Sequence, residues 1–352
     1  MSEHSPSRGD AEPEPRAAAT TPCAGIGLDW GTSNLRAFLL GADGSVIAQR
    51  ERPWGILALP APASAGGFEQ ALHGIAEDWL ASHPAAPLIA CGMVGSAQGW
   101  REAPYVRCPA TATDLAARVT EVRSAGGHWL RIVPGMVFDQ PDELPDVMRG
   151  EETQVVGALD GDGPRGACCF VLPGTHAKWV LVREGRIESF TTAMTGELYA
   201  ALVQHTILGR LMKRPAATNA GDAPRDGQHR PGTEAASRGD GWRRGLALAR
   251  ESRPGDLMRH LFTARSMHLA GRLPAAELAD YLSGLLIGHE LVSALAWLGD
   301  RAGPRVPLVL VGEAALAVRY RDGLADFGHT VPCLGNTAAA GLHRLLTLGN
   351  LR

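Results

Sequence analysis

The stretch "GIGLDWGTSNLRAFLL" at residues 25–40 decides how this chain is read. Apolar residues run up to Leu28, give way to Asp-Trp-Gly-Thr-Ser-Asn at 29–34, and resume in alternation from Leu35. A plain hairpin turn does not need an acid, a glycine, two hydroxyls and an amide in succession. Strands are expected over 24–30, 35–40 and 46–52, the last two joined at Asp43-Gly44, a strong hairpin signal.

The pattern then returns. "CFVLPGTHAKWVLVREGRIESFTTAMTG" at 169–196 reads as strand, Pro-Gly-Thr-His, strand, Glu-Gly turn, strand. Gly31-Thr32 corresponds to Gly174-Thr175, the hairpin glycine Gly44 to Gly185, and helices follow in both halves. A strand–turn–strand–turn–strand unit that occurs twice implies two similar α/β domains.

Two domains that each project a Gly-Thr turn can clamp a phosphate chain. Glycine lets backbone N–H groups approach the phosphates, and the Thr32, Ser33 and Thr175 hydroxyls add donors. Asp29, at the strand end, suits Mg²⁺, which takes one or two carboxylates together with phosphate oxygens and water. Asn34 and Arg36 orient or neutralise charge nearby. A simpler account, in which Asp29 and Asn34 cap a tight turn, serves for one turn but not for two matched ones. Other nucleotide signatures are weak. "GIGLDWG" is one residue off the dinucleotide fingerprint and precedes a hairpin instead of a helix, and no G-x-x-x-x-G-K-[ST] occurs.

The chain of 352 residues has material for two domains, and 45% hydrophobic with 20% charged residues is ordinary for a soluble protein. A net charge of −3 without a basic tract argues against a nucleic-acid partner. Six cysteines without a C-x-x-C pair read as reduced thiols of a cytoplasmic protein and not as structural zinc ligands. No apolar run reaches the ~18 residues that span a bilayer, so no membrane partner is expected. Residues 1–23 read as a disordered tail. Residues 214–241 contain no Leu, Ile, Val or aromatic residue and read as a disordered insertion between helical patterns at 197–213 and 242–250. Helices are further expected over 68–82, 146–160 (capped by Asp146) and 335–346, with a buried strand in 86–95.

These features resemble the superfamily of sugar kinases, actin and heat-shock chaperone ATPases. "LDWGTSNLRA", "CGMVGSAQGW", "APYVRCPA", "IVPG", "VMRGEETQ", "LPGTHAKWV", "TGELY", "SGLLIGHE" and "RYRDGLADFG" together look like the 2-dehydro-3-deoxygalactonokinase family, in that family's order, over roughly residues 24–345. The resemblance implies two duplicated ribonuclease H-like lobes of actin/sugar-kinase type, 24–165 and 166–352, around an ATP and sugar cleft. It implies ATP- and Mg²⁺-dependent phosphorylation of the terminal 6-hydroxyl of 2-dehydro-3-deoxy-D-galactonate in galactonate catabolism, with a homodimer left open. Two alternatives remain: a kinase of another 2-keto-3-deoxy sugar acid, such as the gluconate epimer, and a non-catalytic nucleotide-binding regulator.

The resemblance also assigns roles. Aligning Glu-Thr-Gln with the Asp-x-Asn of related sugar kinases makes Glu152 the base and Glu151 a substrate contact, a register that can be reversed. Simple first-turn helix charges are the other account of this pair. Lys178 is expected to meet the transferring phosphoryl group, and His176 either to touch the ligand or to serve the structure. Arg107 or Arg149 would suit the substrate carboxylate. Gly92, Gly95 and Gly99 lie at a strand end, where α/β sites form, and Met93, Val94, Trp100 and Tyr105 are candidate pocket walls. For Met93 and Val94 taken singly, core packing is the stronger account. Thr195-Gly196-Glu197 is expected near the cleft. Gly312 would let adenine lie against the backbone, although an ordinary strand–helix loop also places a glycine there.

Overall fold

The computed structural model describes residues 21–160, 166–212 and 240–349; residues 1–20 of the expected tail and 214–239 of the expected insertion lie outside the described residues. The chain opens with β1 (Cys23–Trp30), β2 (Leu35–Gly41) and β3 (Val46–Arg52), then α1 (Gly67–Ser82) and β4 (Leu88–Gly92). β5 (Tyr105–Arg107), α2 (Ala112–Ala116), β6 (Thr120–Arg123), β7 (Trp129–Ile132), β8 (Gly135–Phe138), β9 (Asp146–Met148) and α3 (Glu151–Ala158) follow. The second half holds β10 (Ala167–Leu172), β11 (Ala177–Arg183) and β12 (Arg186–Ala193), then α4 (Thr195–His205), α5 (Ile207–Leu211), α6 (Asp240–Arg250), α7 (Leu257–Leu269) and α8 (Leu278–Ala302). It ends with β13 (Leu308–Val311), α9 (Ala314–Asp326), β14 (Cys333–Leu334) and α10 (Ala338–Leu348).

The strand orders are β3-β2-β1-β4-β7-β6 and β12-β11-β10-β13-β14. In each sheet the first strand of a meander pairs antiparallel with its successor and parallel with a later strand: β1 with β2 and β4, β10 with β11 and β13. This is the duplicated α/β architecture expected from the repeated turn motif. A third, small sheet runs β5-β8-β9.

One face of β1 presents Ile26, Leu28 and Trp30 to the cluster under α1. The other face is thinned by glycine: a Cβ on Gly27 would come within 3.0 Å of Leu342 in α10. The glycines that imitate a dinucleotide fingerprint therefore admit a helix against the sheet. α10 is last in sequence, yet it packs on β1, β4, α2 and α3, so a division at residue 165 does not describe its packing. Its Leu342 and Leu345 join a core that spans both sheets and includes Phe38, Ile89, Phe170 and Val180.

The helix expected over 146–160 begins only at Glu151. Asp146 belongs to β9, where it pairs with Phe138, and its carboxylate accepts hydrogen bonds from the Thr192 amide and hydroxyl, both at 2.7 Å. Tertiary partners on β8 and β12 thus outcompete its capping propensity. Asp240 and Gly241, assigned to the insertion, start α6.

α6 and α8 cross through paired glycines. A Cβ on Gly245 would fall 2.1 Å from the Tyr281 carbonyl oxygen, and one on Gly284 would fall 2.3 Å from that of Trp242. Contrary to the sequence reading, Ala275–Ala302 is long and apolar enough, by length and composition, to cross a bilayer. In the fold its Leu282, Leu285, Leu291 and Leu298 are buried within the protein core. Gly284→Val should force the α6 and α8 backbones apart and cost about 3 kcal/mol, read by denaturant unfolding. An unchanged midpoint would contradict the backbone contact. All six cysteines are free.

Candidate active site

The first turn is tight, with the Gly31 amide donating to the Asn34 carbonyl at 2.9 Å. A segment just past β3 braces it. Gly55 donates to the Ser33 carbonyl at 2.9 Å, Ile56 to Gly31 at 3.1 Å and Leu57 to Thr32 at 3.2 Å. In a trans peptide the N–H points opposite the C=O, so binding these carbonyls turns the Thr32, Ser33 and Asn34 amides away from the brace. With the exposed Thr32 and Ser33 side chains they make a set of donors whose chemistry suits an anion. The sequence reading missed this brace, whose only signal is the Trp54-Gly55 pair after β3.

The second turn is braced by the start of α4 through one such bond. The Thr175 carbonyl accepts from the Glu197 amide at 3.0 Å, and the Gly174 carbonyl lies against Gly196 so closely that a Cβ there would be 2.4 Å away. The His176 ring nitrogen Nε2 and the Glu197 carboxylate, 2.5 Å apart, fix the turn to α4. The N-terminus of α4 therefore adjoins Gly174-Thr175.

Asp29 lies 3.6 Å from Arg36, which also faces Glu51 at 3.4 Å and Glu313 at 2.7 Å. Burial raises the Asp29 pKa, against the Arg36 charge and a hydrogen bond from Asn336. Asn34 donates to Glu51 at 3.0 Å, which holds it beside the same guanidinium. Glu313, the first residue before α9, thus ties the second half of the chain to β2. Gly312 adopts φ +143°, and a Cβ there would be 3.8 Å from the Pro173 carbonyl oxygen, so its loop borders the second turn. Among the described residues no cluster of three or more His, Cys, Asp or Glu side chains is placed to hold a metal. Asp29 as a single carboxylate suits Mg²⁺ that brings phosphate oxygens and water as its remaining ligands.

The carboxylate pair follows a sharp bend. Gly150 has φ +108°, a conformation that glycine enters without strain, and lies against Gly92. The bend lets both acids fold back on the start of their own helix. Glu151 accepts from the Arg149 amide at 3.1 Å, and Glu152 from the Gly150 amide at 2.7 Å and the Thr153 hydroxyl at 3.0 Å. Glu152 has no exposed surface, whereas Glu151 keeps some. Burial, and then the Glu151 charge, push the Glu152 pKa up to about 8. Burial also raises that of Glu151, opposed first by the Lys178 charge.

Lys178 differs from expectation. Its ammonium is buried and donates to the Val147 carbonyl at 3.0 Å and to the Thr192 hydroxyl at 2.7 Å. It joins β9 to β12 and acts electrostatically on Glu151, instead of facing open space. Trp100 stacks on Phe68 at 5.7 Å and Val94 is fully buried, so both belong to the α1 core, while Met93 is half-buried. Tyr105 is 41% exposed and lies under the Arg149 guanidinium, 4.4 Å from ring centre to Cζ. Arg107 is exposed and paired with Asp139 at 2.6 Å. Gly95 sits against Arg149, where a Cβ would be 3.0 Å from Nη1.

Glu290 was not singled out from the sequence. Buried in α8, it accepts from Trp179 Nε1 at 2.9 Å, from the Tyr320 hydroxyl at 2.6 Å and from the Thr195 hydroxyl. It thereby pins the first residue of α4 to α8 and α9. A cavity of about 230 Å³ opens beside it, lined by Gly174, Thr195, Gly196, Tyr199, Arg319 and Tyr320.

The 2-keto-3-deoxy-galactonokinase family model matches residues 29–345. A Rhizobium meliloti (strain 1021) protein, named as a probable 2-dehydro-3-deoxygalactonokinase, is 38% identical over 86% of this chain and 90% of its own length. The 2-dehydro-3-deoxygalactonokinase of Escherichia coli (strain K12) is 32% identical over 89% of this chain and 94% of its own. A crystal structure from Sinorhizobium meliloti, described as a protein of the same kinase type, has 34% identity and a TM-score of 0.74, covering 92% of this chain and 98% of that one. With a family model that matches nearly the whole described chain and two relatives at 38% and 32% identity, this protein belongs to the 2-keto-3-deoxy-galactonokinase family.

Proposed function

We propose that the chain transfers the γ-phosphoryl group of ATP to the 6-hydroxyl of 2-dehydro-3-deoxy-D-galactonate, a step of galactonate breakdown in the cytoplasm. The observation that carries this is the pair of braced turns, Gly31–Asn34 and Gly174–His176, whose freed amides suit a polyphosphate, with Glu151 within electrostatic reach of His176. The names of the relatives supply the acceptor.

Glu151 is the base in this reading. It retains exposure and stands near the Lys178 charge, which favours its ionised form, whereas Glu152 is sealed, with both oxygens occupied. This reverses the register taken from the sequence. Glu151 accepts the proton of the 6-hydroxyl as that oxygen attacks the γ-phosphorus, and the bond to the bridging oxygen breaks, which leaves ADP and a phosphomonoester. Asp29 would hold Mg²⁺, which when bound would supply neutralisation of the charge that develops on the phosphates. The Thr32, Ser33 and Thr175 donors hold the phosphate chain in line, and the cavity beside Gly174 and Thr195 takes the nucleoside.

ADP release coupled to NADH oxidation tests the reading, with ATP, Mg²⁺ and the galactonate or gluconate epimer. Release that depends on the galactonate compound and far exceeds the epimer's is expected. Equal rates would broaden the acceptor class, and no acid-dependent ADP from ATP-binding protein would overturn the kinase reading.

A further inference from the structure

The basic side chains assigned to the site differ in how fully they are engaged. Arg107 is paired with Asp139, Arg36 faces Asp29, Glu51 and Glu313, Lys178 is bonded to Val147 and Thr192, and His176 is held by Glu197. Arg149 stands apart. Its Nη2 donates to the Ala103 carbonyl at 2.8 Å, but Nε and Nη1 are buried with no hydrogen-bond partner. Among the described residues no carboxylate pairs with its guanidinium.

Leaving a buried N–H without a partner is costly, and more so on a charged group. A cation kept in that state is poised for an anion that arrives from outside. Arg149 is two residues before Glu151, and its backbone amide already bonds that carboxylate. Its guanidinium rests on Tyr105, whose partly exposed ring marks the open side of the site. One hydrogen bond, to Ala103, holds it under the segment 93–103. Exchanging that bond for an ion pair frees the side chain to turn across the Tyr105 face.

Resting on the kinase reading, we infer that Arg149 binds the carboxylate of the acceptor, and that Tyr105 is the platform on which its guanidinium turns. The acid group then sits at one end of the acceptor and the reacting hydroxyl at Glu151, so a single side chain sets both the anionic class of the substrate and its direction.

The test measures wild-type enzyme and Arg149→Met with 2-dehydro-3-deoxy-D-galactonate and with its carboxamide. Wild type should prefer the acid by on the order of 100-fold in kcat/KM. Arg149→Met should raise KM for the acid by a similar factor, leave KM for ATP within about twofold and show no preference between acid and amide. Its Tm should not fall, because an apolar stem replaces an unsatisfied buried cation. Similar wild-type rates on acid and amide, an unchanged KM for the acid in the variant, or equal losses on both compounds would each overturn the inference. Failure of wild type to turn over the acid at all would instead overturn the kinase reading.

Discussion

Glu151→Gln is expected to lower kcat by about 10²–10⁴-fold, with KM for ATP nearly unchanged. Glutamine keeps the shape and can still accept the Arg149 amide hydrogen bond, but it has no lone pair basic enough to take the proton of an attacking hydroxyl. Because the proposed nucleotide contacts, the two turns and the cavity beside Glu290, do not include Glu151, ATP binding should survive, and isothermal titration with ATP would show it. Glu152→Gln should lose far less at pH 7, since the buried acid it replaces is already largely protonated there. A near-normal kcat in Glu151→Gln together with a collapse in Glu152→Gln would restore Glu152 as the base.

The second large effect concerns stability. Glu152 has its pKa raised from the ordinary 4.5 to about 8 in the folded chain, because it is buried beside Glu151 and has no cation of its own. A raised acid favours folding in its protonated form. Its contribution is therefore complete below pH 4.5, declines as pH rises through the interval, and is gone above about 8. The whole interval corresponds to at most about 5 kcal/mol, reduced in practice by relaxation around the charge. Glu152→Gln mimics the neutral acid at every pH. The difference in unfolding free energy between pH 6 and pH 9 should shrink in the variant, and relative to wild type it should gain stability at the alkaline end. Parallel profiles for the two proteins would mean that Glu152 carries no proton at neutral pH.

Much of the architecture was legible because strand periodicity and turn chemistry are local. The hairpin at Asp43-Gly44 is one such element: Gly44 takes φ +83° and Ser45 bonds the Asp43 carboxylate at 2.6 Å. The helix over 68–82 and the strand ending at Gly92 follow the same logic. Asp146 shows the limit. Its local preference for a helix start was real, but the Thr192 amide and hydroxyl, 46 residues away, claim its carboxylate. No window of sequence reports a partner at that distance.

The sequence by itself determined that two Gly-Thr turns recur on matching strand units and that acids stand at 151 and 152 between them, which is the basis of the proposed phosphate site. These follow from residue types at short spacing. Only the tertiary structure decided which atoms of those residues remain free. It showed that the segment 55–57 and the start of α4 bind the turn carbonyls and so turn the amides outward. It also showed that Lys178 is bound within the protein, that Glu152 is sealed while Glu151 is not, and that Arg149 keeps unbonded donors. Burial and hydrogen-bond saturation are properties of the packed whole. They depend on groups brought together from far along the chain, and they separate a side chain available for chemistry from one that holds the fold.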